Sequence, residues 1–184
     1  MDGALAGQAG PGADRATGVV IVEASSPEEV DAVRAMFREY GESLGWDASA
    51  GGWLTDEIAA LPGPYAPPRG SLLLAYVDGR QAGALGLQPV PEGSRVAGTG
   101  AERAGELKRM FVRPEYRRHG VGRALLVRAA DEARVRGYDS LVLTTSAKMM
   151  PLAQHLYEST GYVEDVPYRD DMPYPEIRWM RLEL

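Results

Sequence analysis

Glu106-Leu107-Lys108-Arg109-Met110-Phe111-Val112 is followed by Arg113-Pro114-Glu115-Tyr116-Arg117-Arg118-His119-Gly120-Val121-Gly122-Arg123-Ala124-Leu125-Leu126. The first seven residues read as a strand. Helical spacing then begins at Val121 and continues through Leu125, Ala129 and Ala133 to a stop at Gly137. The loop from Arg117 to Gly122 therefore meets a helix N-terminus. Free backbone N–H groups and the helix dipole favour an anion there. Gly120 and Gly122 lack side chains and would let an oxyanion approach the backbone. Arg117, Arg118 and Arg123 add charge, so the chemistry suits a pyrophosphate. A solvated basic helix face behind a merely structural glycine turn is the plainer alternative.

Two common phosphate loops do not fit. The dinucleotide fingerprint needs a glycine three residues beyond Gly122, where Leu125 stands. The mononucleotide loop needs Gly-Lys-Ser/Thr, which occurs nowhere in the chain.

Working outward, residues 1–17 are rich in Gly and Ala and read as a disordered tail, leaving 18–184 as a single domain. Val19 to Val22 reads as a strand. Ser26-Pro27-Glu28-Glu29 is a capping box, and Val30, Val33, Phe37, Tyr40 and Leu44 mark one buried helical face. A short helix follows over Leu54 to Leu61, then a proline-rich stiff loop from Pro62 to Gly70. Ser71–Val77 and Gln81–Gln88 flank the hairpin signal Asp78-Gly79. Pro89 to Ala104 is a loop. Beyond the central segment come a strand over Ser140–Thr145, a helix over Met149–Ser159, and strands over Tyr162–Val166 and Ile177–Leu184. The order β-α-α-β-β-β-α-β-α-β-β is a mixed α/β layer fold.

Composition narrows the chemistry. The chain has no cysteine, which excludes thiol nucleophiles, disulfides and thiolate metal sites. His119 and His155 lack zinc-ligand spacing, so no metal is expected. No signal peptide or membrane span is legible, and a cytoplasmic protein that binds neither membrane nor nucleic acid is expected. A net charge of −6 favours a cationic small molecule as partner.

Arg117-x-x-Gly120-x-Gly122, after a strand ending Met110-Phe111-Val112-Arg113-Pro114, resembles the acyl-CoA motif of the GNAT superfamily of N-acetyltransferases. Ala153-Gln154-His155-Leu156-Tyr157-Glu158-Ser159-Thr160-Gly161-Tyr162 is similar to that family's second motif, and the resemblance runs from about Val19 to Leu184. It implies a GNAT-like acyl-CoA transferase fold: an α/β mixed sheet of about seven strands, helices on both faces, and a splayed pair of parallel strands. These would be Glu106–Val112 and Ser140–Thr145. Acetyl-CoA would enter the gap as acyl donor. The backbone of Met110, Phe111 and Val112 would meet its pantetheine arm and thioester. Arg117, Arg118, His119, Gly120, Val121, Gly122 and Arg123 would hold its pyrophosphate. Met150 stands where the family often has Asn, so one side-chain contact to CoA would be missing.

The resemblance further implies an N-acetyltransferase in which an amine attacks the thioester directly. Tyr157 would serve as acid toward the leaving thiolate. Glu106 would serve as base, directly or through a water, or only bind the acceptor. Lys108, Tyr65 and Thr145 would line the acceptor pocket beside it. The acceptor is expected to be the primary amine of a small molecule, less readily a peptide. A homodimer through the C-terminal strands is compatible with the pattern. The alternative is a non-catalytic acyl-CoA-binding or sensing module. Gly41-Glu42-Ser43-Leu44-Gly45 matches a hydrolase pattern, but it follows a helix where a nucleophile elbow needs a strand.

Overall fold

The computed structural model describes residues 13–14, 18–46, 52–146, 148–170 and 176–184. The elements are β1 (Ala13–Asp14), β2 (Val19–Glu23), α1 (Pro27–Ser43), α2 (Trp53–Ala59), β3 (Ser71–Val77) and β4 (Arg80–Pro89). They continue as β5 (Ala104–Val112), α3 (Val121–Val135), β6 (Ser140–Ser146), α4 (Pro151–Ser159), β7 (Val163–Glu164) and β8 (Ile177–Glu183). All strands join one sheet in the order β1-β2-β3-β4-β5-β6-β8-β7. The expected mixed sheet is present. Two of its eight strands are two-residue edges.

Local chemistry sets the boundaries. Ser26 Oγ accepts from the Glu29 N–H at 3.2 Å, and Glu29 returns the bond to the Ser26 N–H, completing the capping box. Asp78 and Gly79 both have positive φ, at 48° and 75°, as a tight hairpin between β3 and β4 requires. Helix α4 begins at Pro151 rather than Met149, because proline suits the first helical turn. The strand expected over Tyr162–Val166 shortens to Val163–Glu164, just ahead of Pro167. Within the proline-rich loop, Gly63–Tyr65 forms a single 3-10 turn. Of the expected tail, only Ala13 and Asp14 are described, paired antiparallel with Val20 and Val19; the rest lies outside the described residues.

Helices cover both faces of the sheet. Val121, Leu125, Leu126 and Ala129 of α3 pack with Tyr157 of α4 on Leu73, Leu85, Leu107 and Leu141. Val33, Met36, Phe37 and Tyr40 of α1 pack with Leu54 and Ile58 of α2 on Leu72, Leu74, Ala84 and Phe111. Alternate residues of the same strands thus feed two cores, as the period of two demands. Among the described residues, no helix is long and apolar enough to cross a membrane.

The one parallel pairing among the described residues positions the site. Strands β5 and β6 pair only at Ala104–Ser140, Gly105–Leu141 and Glu106–Val142. Beyond Glu106 they separate, while β6 stays paired to β8 as far as Ser146–Ile177. On its other side β5 follows β4 through a register shift. Ala84 faces Phe111 and Gly86 faces Lys108, so Arg109 and Met110 together oppose Leu85. This is a β-bulge, and Arg109 has φ 55°. A bulge bends its strand and strengthens the local twist, which turns β5 away from β6.

Candidate active site

The gap between β5 and β6 opens into a cavity of about 650 Å³. Its walls bring together Lys108, Arg109 and Met110 of β5 with Thr144, Thr145 and Ser146 of β6. Tyr157 of α4 closes one side. Tyr40, Trp46 and Trp53 form the aromatic side toward α1 and α2. Among the described residues, the open edge of β5 from Leu107 onward has no strand partner on the β6 side, so its backbone groups are available to an extended ligand.

Tyr157 is almost fully buried, and burial raises its phenol well above the ordinary value. Its ring meets that of Tyr162 edge-on, with centroids 5.8 Å apart. The hydroxyl therefore keeps its proton and is available as a donor.

Glu106 is wholly buried and does not line the cavity. Its Oε1 accepts from the Tyr168 hydroxyl at 2.7 Å, and its Oε2 accepts from Gln88 Nε2 at 2.9 Å. Lys108 Nζ and a guanidinium nitrogen of Arg169 lie 3.6 and 3.5 Å from Oε1. A buried carboxylate needs such partners. Glu106 thus stands behind Lys108 and Arg169, which do reach the cavity.

Tyr65 also stands behind the wall. It is buried against Gly86, where any Cβ would come within 2.5 Å of its ring. Its hydroxyl donates to Glu57 Oε1 at 2.6 Å. Glu57 in turn accepts from Arg109 Nε at 3.1 Å and Nη2 at 2.6 Å, and Arg109 lies over the Trp53 ring at 4.5 Å. Burial alone would raise the Glu57 carboxyl, but the bonds and charge of Arg109 and the Tyr65 hydroxyl hold it below its ordinary value. Burial lowers the Lys108 ammonium; Glu106 opposes this, while Arg109 and Arg169 add to it.

At the far end of the cleft, Gly120 adopts φ 79° and begins α3 with no side-chain cap, leaving the first N–H groups of the helix open. Arg117, Arg118 and His119 are exposed around it. Arg117 Nε donates to the Val112 carbonyl at 3.1 Å, and His119 Nδ1 lies 2.9 Å from the Arg117 carbonyl. Arg123 bonds Ser159 of α4. Gly122 has a further reason to lack a side chain: a Cβ there would sit 2.7 Å from Leu156 Cδ2, so it lets α4 pack against α3. Val121 and Phe111 bury their side chains in the two cores and offer only backbone to a ligand. The basic run divides by function, since Arg113 is committed to Glu39 and Arg128 to Glu132.

Sequence reasoning missed Glu57, Arg169, Tyr168 and Trp53, and took Tyr40 only as part of a buried helical face; the Gly45–Trp46 region it read as a helix end and substrate-side loop, and Trp46 does line the cavity. Glu57 meets Arg109, and Tyr168 and Arg169 meet Glu106, across more than fifty positions, so no local spacing marks them. Arg109 lay inside the motif, but its bulge carried no sequence signal.

A model of the acetyltransferase (GNAT) family matches residues 33–162. An uncharacterized N-acetyltransferase of Schizosaccharomyces pombe is 31% identical over 159 residues, covering 86% of this chain and 90% of its own length. A GNAT-family acetyltransferase structure from Staphylococcus aureus superposes with a TM-score of 0.67 at 19% identity, covering 90% of this chain and 98% of that one. The structure of a putative acetyltransferase from Salmonella typhimurium, solved with acetyl-CoA, gives a TM-score of 0.65 at 17% identity, covering 90% and 93%.

Proposed function

Because the chain belongs to the GNAT family of acetyltransferases, we propose that it moves the acetyl group of acetyl-CoA to the primary amine of a small molecule held in the β5/β6 cavity. The observation that carries this reading is the opening beyond Glu106–Val142, where one strand edge, two phenols and three cationic side chains meet in a single cavity. The residues present fit such a donor. The unpaired edge of β5 suits an extended pantetheine arm, and the uncapped start of α3 with Arg117, Arg118 and Arg123 suits its pyrophosphate.

Acetyl-CoA supplies an acyl carbon activated as a thioester. The bulge at Arg109–Met110 leaves backbone out of the β4 ladder, and the Met110 N–H is the donor proposed to polarise the thioester carbonyl. The acceptor must lose a proton, since an alkyl ammonium has a pKa near ~10 and only the free amine attacks. A C–N bond then forms, the C–S bond breaks, the thiolate leaves, and the proton that the nitrogen sheds on becoming an amide passes to solvent water. Tyr157 donates a hydrogen bond to that sulfur. Full proton transfer from a phenol raised by burial would run uphill to a thiol of pKa ~8.5, so Tyr157 stabilises the thiolate and water completes its protonation. Glu106 acts in this scheme through Lys108 and Arg169, which it holds at the cavity wall.

The test is thiol release on mixing the protein, acetyl-CoA and a panel of small primary amines, with melting temperature measured alongside. Stabilisation by acetyl-CoA and amine-dependent release are expected. Stabilisation without release by any amine would leave a binding module.

A further inference from the structure

Neighbouring residues of a strand normally point to opposite faces. Lys108 and Arg109 both line the same cavity. The bulge makes this possible: the positive φ of Arg109 re-aims its side chain beside that of Lys108. Both side chains are deeply buried, with 14% and 9% of their surface exposed, so what remains accessible faces the cavity.

Each cation keeps bonding capacity in reserve. Arg109 spends Nε and Nη2 on Glu57, and the Tyr40 hydroxyl on the cavity wall also interacts with its guanidinium. The bidentate pair and the Trp53 ring fix the plane of the guanidinium, so Nη1 is held in place at the cavity wall. The Lys108 ammonium has no hydrogen bond among the described residues. Its counter-charge, Glu106 Oε1, stands at 3.6 Å, outside hydrogen-bond reach. An ammonium that opens onto the cavity takes its acceptors from water or from a ligand seated there.

Trp53 under Arg109, together with Trp46, Leu44, Met149, Glu176 and Ile177, lines the same cavity. The two indoles meet edge-on at 5.2 Å. The cavity thus offers two adjacent donors for a two-oxygen anion, an apolar wall beyond them, and the proposed transfer point beside Met110.

We propose that the acceptor is an amino acid with an apolar or aromatic side chain, its carboxylate seated on Lys108 Nζ and Arg109 Nη1. This rests on the acetyl-transfer reading above. The chain is acidic overall, yet this wall is cationic, so the general surface charge does not select the acceptor. An ammonium and one guanidinium edge match the two oxygens of a carboxylate. The carboxylate holds the molecule by one end, which presents the adjacent amine to the thioester and leaves the side chain to the tryptophans.

The experiment is thiol release from acetyl-CoA with leucine, methionine, phenylalanine and tryptophan, set against their decarboxylated amines and their amides. The acids should show kcat/KM at least about 100-fold above the matched amines and amides, because a site built around a carboxylate leaves its donors unmet when that group is missing. In Lys108→Met the KM for the acids should rise by about 100-fold and the preference for acid over amide should collapse, while stabilisation by acetyl-CoA persists. Lys108→Arg should restore most of that preference. Equal turnover of acids and amides, or turnover of amines with none of the acids, overturns this proposal and leaves acetyl transfer standing. Failure of acetyl-CoA to stabilise the wild type overturns the underlying reading and this proposal with it.

Discussion

Tyr168 donates its hydroxyl to Oε1 of Glu106 at 2.7 Å, across 62 positions of sequence and out of contact with solvent. Tyr168 also packs edge-on against Trp179, with ring centroids 4.9 Å apart. The carboxylate most naturally read as a base from its place in the motif is therefore anchored by the C-terminal part of the chain. It faces two cations and two neutral donors rather than the cavity. Its charge positions the wall that an acceptor would touch.

Glu106→Gln should therefore act on stability as well as rate. Removing the charge leaves Lys108 and Arg169 short of a buried counter-ion, a loss of roughly 3–5 kcal/mol when one partner of such a cluster is neutralised. Chemical denaturation should show this loss without substrates present. A variant of wild-type stability that loses only turnover would return Glu106 to the role of base.

Tyr157→Phe keeps the buried ring and its contact with Tyr162 while removing the hydroxyl. kcat should fall by about 10²-fold with acetyl-CoA binding unchanged. Burial holds the phenol above its ordinary range, so raising the pH should not restore the loss. Full turnover in this variant would make Tyr157 a packing residue.

The pH profile should report Lys108. Burial, with Arg109 and Arg169 beside it, lowers the ammonium below the usual lysine value of ~10.4, against the pull of Glu106 and Glu57. Carboxylate binding needs the protonated form, which is lost as pH rises through that lowered value. The acceptor amine gains its reactive form over the same direction of change. kcat/KM for an amino acid should thus rise and then fall, and Lys108→Arg, which stays charged, should lose the falling limb. Identical alkaline limbs in both proteins would detach Lys108 from acceptor binding.

Acid stability tests the second ring of charges. Glu57, held down by Arg109 and Tyr65 against the effect of burial, has a folded value below its unfolded one, and Glu132 is held likewise by Arg128 and Arg136. Depressed carboxyls contribute stability that is present above the unfolded value of ~4.3 and lost as pH falls through the folded values. Unfolding free energy should drop between about pH 5 and pH 3, and the Glu57→Gln, Glu132→Gln double variant should show a shallower drop. An unchanged slope would mean neither carboxyl is stabilised by folding.

Much of the frame was legible because its causes are local. Ser26 and Glu29 cap a helix within one turn, Asp78-Gly79 closes a hairpin, and Gly120 starts α3 in the left-handed conformation. The strand, loop and helix around them could be read for the same reason. The acceptor side could not. Arg109 meets Glu57 across 52 positions, and Tyr65 proves to be a support for Glu57 rather than a wall of the pocket. Gly122 looked like room for an oxyanion, yet its missing Cβ also makes room for Leu156. The bulge that brings Lys108 and Arg109 together depends on how β4 and β5 pair, and no residue spacing encodes it.

The edge of β5 left open beyond Glu106 is the proposed seat of the acyl donor. Amide hydrogen exchange with and without acetyl-CoA tests it most directly. Exchange should slow at residues 107–112 and at 121–123, where strand edge and helix start offer their N–H groups, and stay unchanged in β3, already paired on both sides. Slowing confined to other segments, or none at saturating acetyl-CoA, would contradict the account.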